Sequence, residues 1–115
     1  MAITEAQRTG EFLVSEASGT RSREKVVIAA AAGALVAGTV LGKISASQKY
    51  VAYNNAASDG SEVAAGILYA AAPDVAVDQP AVAFVRDCEV AEMRLTGIDT
   101  PGKADLLALG IIVRA

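Results

Sequence analysis

The chain has 115 residues, 53% hydrophobic and only 4% aromatic, with no tryptophan, no histidine and one cysteine. That length allows one domain at most, and because much of the apolar content is alanine, a monomeric core would be thin and association is a reasonable expectation. A formal net charge of −3 without any run of Lys or Arg leaves no basic surface for nucleic acid or for polybasic membrane attachment.

Residues 1–24 differ in kind from the rest. They are polar and mixed in charge (Glu5, Arg8, Glu11, Glu16, Arg21, Arg23, Glu24) around Ser18-Gly19-Thr20. With so little to bury, the segment reads as a mobile N-terminal arm, and its polar start does not read as a signal peptide. Phe12-Leu13-Val14 is the exception, a compact apolar patch. The residues leave two readings open: it packs on the protein's own body, or it docks on a partner by adding a strand to a sheet edge.

From Lys25 the pattern turns β-rich. Val26 to Leu41 is a sixteen-residue apolar run between Lys25 and Lys43. As a helix it would reach about 24 Å, short of the roughly 30 Å hydrocarbon core of a bilayer. Its glycines and β-branched residues read instead as two buried strands, Glu24–Ile28 and Thr39–Leu41, meeting near Ala32-Gly33-Ala34. Tyr50–Tyr53 is a further strand ending at the turn pair Asn54-Asn55, and Asp59-Gly60 marks another turn before a strand at Gly66–Tyr69.

Ala81–Val85 alternates, with Val82 and Phe84 on one face. After Arg86-Asp87-Cys88-Glu89 the apolar parity changes, Met93 and Leu95 now alternating with Glu92 and Arg94. A parity change in a period-2 pattern predicts a hairpin with its turn at Arg86–Glu89. One helix follows, with Thr100 as N-cap, Pro101 at its first position, Leu106, Leu107 and Leu109 covering the body, and Gly110 as its stop. Ile111–Val113 reads as a last buried strand.

No constellation in the chain carries chemistry. Without histidine there is no Ser-His-Asp or Cys-His nucleophile system and no imidazole ligand. Cys88 has no base to activate it, so its placement near a turn reads as incidental. Asp87, Glu89 and Glu92 read as a solvated face rather than an acid–base pair. Gly33, Gly38 and Gly42 form no phosphate-binding loop. No catalytic residue, cofactor or metal ligand is therefore expected, and no small-molecule substrate.

The order Ala37-Gly-Thr-Val-Leu-Gly-Lys-Ile44, Tyr50-Val-Ala-Tyr53, Asp59-Gly60 and Val63-Ala-Ala-Gly-Ile-Leu68, then the Arg86-Asp87 turn and the helix before Gly110-Ile-Ile-Val113, resembles the head decoration proteins of lambda-type tailed phages. The arm, Gly10-Glu-Phe-Leu-Val-Ser-Glu16 followed by Thr20-Arg-Ser-Arg-Glu-Lys-Val26, looks like the longer-armed branch of that family. The resemblance implies an α+β, β-rich single domain of short strands and hairpins with one short C-terminal helix, residues 25–115, preceded by an extended N-terminal arm, residues 1–24. It implies a non-enzymatic homotrimer on the outer surface of the expanded phage head, bound to the major capsid protein at three-fold positions and stiffening the shell against packed DNA. Phe12, Leu13 and Val14 then fall in the capsid-binding arm. The competing reading is a non-enzymatic oligomeric interaction domain of a bacterial cellular protein.

Overall fold

The computed structural model describes residues 10, 12–16, 22–30, 33–74 and 76–115. The expectations for residues 1–9, Glu11 and 17–21, and for Ala32 in the apolar run, lie outside the described residues. Eight strands and one α-helix follow in order: β1 (Leu13–Glu16), β2 (Arg23–Ile28), β3 (Val40–Lys43), β4 (Tyr50–Ala52), β5 (Ala64–Leu68), β6 (Gln79–Phe84), β7 (Cys88–Ala91), α1 (Thr100–Ala108) and β8 (Ile111–Arg114). The body is thus the β-rich α+β domain with one short C-terminal helix that the sequence predicts.

Strands β2-β4-β3-β5-β6 close into a barrel, and β1-β7-β8 form a separate three-stranded sheet. Strict parity builds the barrel. Val26 and Ile28 of β2, Leu41 of β3, Tyr50 of β4, Leu68 of β5 and Ala83 of β6 turn inward with Leu35, Ala72 and Val85. Their neighbours of opposite parity, Val40, Ile67 and Phe84, turn outward. There they meet Phe12, Cys88, Val90 and Ile111 from the small sheet and Leu106 from α1. Strands β3, β5 and β6 are therefore apolar on both faces, as strands covered on two sides must be. On β2 the outward Val27 stays 41% exposed, because no described residue covers that part of the wall.

A tight approach fixes the top of β3. A Cβ at Gly42 would lie 2.5 Å from the Ser61 carbonyl oxygen and 2.6 Å from its Cα, so only glycine admits the 59–61 turn against this strand. Asp59 closes that turn by accepting from the Ser61 backbone N–H at 3.0 Å.

Four sequence expectations are corrected. The chain does turn after Phe84, with Asp87 at φ 49°, but no hairpin forms: β6 pairs with β2 and β5, whereas β7 pairs with β1 and β8. The parity change marks a transfer from barrel to outer sheet, because alternation reports which face is buried and not which strand is the partner. Glu92–Arg94, read as alternating strand, is a single 3-10 turn, and its Met93 is 87% exposed. In α1 the N-cap is Asp99 rather than Thr100: its side chain accepts from the Gly102 N–H at 2.7 Å. Only Leu106 of the three leucines is buried, Leu107 being 63% exposed, since adjacent helical positions lie about 100° apart and cannot share one face. Pro101 does sit in the first turn, and Gly110 ends the helix at φ 83°.

Side chains pin α1 to the barrel. Asp99 accepts from the Tyr53 hydroxyl at 2.8 Å and Asp105 accepts from the Ala64 N–H at 3.0 Å, so both carboxylates bridge helix and barrel.

Candidate binding surface

Phe12, Leu13 and Val14 sit at the start of β1, one edge of the three-stranded sheet, and the structure separates them. Phe12 is fully buried, meeting the Phe84 ring edge-on at 5.6 Å between centroids. Leu13 pairs with Val90 and is half-buried against the outer core. Val14 falls where the register shifts between Leu13 and Ser15, and is 57% exposed. A bulge inserts one extra residue and re-aims its side chain, which accounts for an apolar valine facing water. The patch thus combines an anchor in the protein's own core with an outward valine.

The outer face of this sheet carries a polar network centred on Glu89, beside the 39% exposed Ile112. Ser15 donates to Glu89 at 2.7 Å, and Arg114 donates to the same carboxylate through Nε at 2.9 Å, linking all three strands. The Ser15 hydroxyl first, and then Arg114, hold the Glu89 carboxyl below the usual range. As an edge strand, β1 has no strand partner on its other side among the described residues.

At the far end of β1, Glu16 accepts two bonds from Arg23, at 3.1 Å from Nε and 2.8 Å from the terminal nitrogen. That guanidinium also lies 4.6 Å from the Tyr69 ring centroid and 5.3 Å from that of Phe84. A groove of about 310 Å³, lined by Arg23, Glu24, Lys25, Tyr69 and Val82, opens beside it on the outer barrel wall. This pair is not legible in the sequence. Glu16 and Arg23 are two charges in a mixed-charge segment, and nothing in their spacing shows that they meet.

The groups weighed for chemistry are engaged elsewhere. Cys88 is buried, and its thiol is pushed up to about 11, by burial first and then by Glu16 and Asp87, the opposite of a reactive thiolate. Glu89 is bound as above and Glu92 pairs with Lys103. Among the described residues no group of three or more His, Cys, Asp or Glu could hold a metal ion, and no helix is long and apolar enough to cross a membrane.

The family model of the bacteriophage lambda head decoration protein D matches residues 2–111, nearly the whole chain. The chain belongs to that family. It is a structural protein of the phage head, located on the capsid surface of the virion. No curated protein matches the sequence. For a head decoration protein the relevant chemistry is that of an interface, and β1 brings together a buried aromatic anchor, an exposed valine and an edge without a strand partner among the described residues.

Proposed function

We propose that this decoration protein binds the outer surface of the expanded head as a homotrimer at three-fold positions, with the major capsid protein as partner. The observation that carries the reading is the family match over residues 2–111. DNA packed in a head pushes the shell outward, and a trimer spanning neighbouring capsomers resists their separation. Three copies of one contact make the second and third binding events intramolecular, which raises avidity by a factor on the order of 100 or more.

Within each subunit we assign the contact to the segment Phe12, Leu13 and Val14. Phe12 anchors the segment in the body, Leu13 carries the strand, and Val14 with the outer edge of β1 meets an extended segment of the capsid protein. Residues 1–24 form the arm by composition, yet 13–16 and 23–24 run in the two sheets and Phe12 is buried beside them. A cut at residue 24 would therefore remove Phe12 from the core. A deletion of residues 1–9 and the substitution Val14→Asp test the contact without that loss.

The deciding experiment is co-sedimentation of the purified protein with expanded, undecorated heads of the parent phage. Saturable binding near one copy per major capsid subunit is expected. Absence of binding to well-formed expanded heads overturns the reading. Retained affinity in Val14→Asp overturns the assignment of the contact to β1.

A further inference from the structure

Both ends of β1 converge on one cluster of three side chains. The Gly10 N–H, just before the strand, donates to the Tyr69 carbonyl at 3.0 Å. Phe12 packs edge-on against Phe84, and Tyr69 packs on the same ring at 5.7 Å. At the other end Glu16 takes both prongs of the Arg23 guanidinium, which itself covers Tyr69 and Phe84. Arg23 therefore touches the carboxylate that ends the strand and the ring that receives its anchor. Besides its ladder to β7 and the Ser15–Glu89 bond, β1 offers itself little support: it is four residues long, bulged, at the sheet edge, and exposed at Val14 and Ser15.

We infer that Arg23 is the catch that holds β1 in place, a positioning residue for the binding strand, and that β1 opens as a unit without the barrel. The fork matters, because a planar guanidinium can bind a carboxylate through two parallel bonds and stack on aromatic faces at the same time. A lysine ammonium can lie over a ring face but has no planar fork to make the two parallel bonds at the same time. Opening of β1 is a local event because the barrel strands pair only with one another. The link from the catch to head binding rests on the function proposed above, whereas the catch itself does not.

The test is native-state hydrogen exchange on the full-length protein and on R23Q and R23K. The Leu13 amide donates to the Gly10 carbonyl and the Ala91 amide to that of Phe12, so both report on β1. The Tyr53 amide donates to the Val40 carbonyl and the Leu68 amide to that of Thr39, so both report on the barrel. Exchange at Leu13 and Ala91 should quicken about tenfold in both variants, with Tyr53 and Leu68 within roughly twofold of the parent. Uniform quickening, or none, overturns the inference. So does a parent-like profile in R23K, because a point charge would then suffice.

A covalent lock separates this inference from the function. Glu16 and Cys88 are directly opposed Cα partners on antiparallel strands, a spacing of about 4.5–5.5 Å that suits a disulfide. In the double variant E16C/R23Q, oxidation onto Cys88 should restore slow exchange at Leu13 and Ala91 and restore head binding, and reduction should abolish both. Restored exchange without restored binding would leave the catch intact and overturn the placement of β1 in the capsid contact. Failure of oxidation to slow exchange would overturn the catch.

Discussion

The barrel and the three-stranded sheet bury apolar side chains of the same kinds and hold them by different means. In the barrel each strand has two strand neighbours, and β2 and β6 match residue for residue from Arg23↔Phe84 to Ile28↔Gln79. The small sheet is gathered from three distant segments, has two edges, and depends on side chains packed onto the outside of β3, β5 and β6. Closure protects backbone bonds from water on both sides, whereas an edge sheet is only as secure as the side chains beneath it. The outer layer is therefore where the molecule should open first, and it is also where the proposed binding strand lies.

The substitution that presses hardest on this contrast is Phe12→Ala. Removing a buried phenylalanine costs about 3–5 kcal/mol where the site cannot collapse, measured as the shift in urea unfolding free energy. Because Phe12 belongs to the outer layer, the loss should be greatest at β1, β7 and β8. A variant as stable as the parent would remove Phe12 from the core. In the barrel the matching probe is Gly42→Ala, whose methyl would collide with the Ser61 backbone. Forcing β3 and the 59–61 turn apart should cost about 2–3 kcal/mol and lower protection throughout the barrel. Damage confined to the turn would show the barrel to be less cooperative than its closure implies.

Tyr53 joins the two regions, and its effect is smaller. Its phenol is pushed up to about 12, by burial first and then by the Asp99 carboxylate that it hydrogen-bonds. A folded pKa above the ordinary 10.0 means that the folded state favours the protonated phenol. That contribution is complete below pH 10 and disappears as pH climbs toward 12. Tyr53→Phe should cost about 1–2 kcal/mol near neutral pH by leaving Asp99 one donor short, and should flatten the alkaline limb of the stability profile. An unchanged limb would assign alkaline sensitivity to other groups.

How much of this was legible follows from which physics each element depends on. The barrel strands were readable because alternation and β-branching are local, as in Val26 and Ile28 flanking Val27, and because turns at Asn54-Asn55 and Asp59-Gly60 carry their own chemistry. The partners of β7 were not readable. Its pairing with β1 and β8 is set by where Phe12, Val90 and Ile111 find a shared apolar wall, and no short window contains all three. Met93 misled for a related reason: one turn of 3-10 helix can imitate two steps of strand alternation. At the candidate surface the residues Phe12-Leu13-Val14 stood out by composition, but that Phe12 would point inward and Val14 outward depended on a bulge. The Arg23–Glu16 pair depended on tertiary closure entirely.

Cys88 offers the finest test of the contrast, since it lies on β7 directly opposite Glu16 of β1. The thiol is buried, and its pKa is pushed up from 9.0 to about 11, so thiolate is scarce in the closed molecule at neutral pH. Alkylation by iodoacetamide at pH 8 should be slower than in the urea-unfolded chain by a factor on the order of 100 or more. If the outer layer opens before the barrel, urea well below the unfolding midpoint should speed alkylation while circular dichroism still reports an intact β-structure. If the two regions are one cooperative unit, alkylation and the spectroscopic transition should coincide. The R23Q variant should bring the early rise to still lower urea, because the residue lost is the one that ties the strand covering Cys88 to the barrel wall.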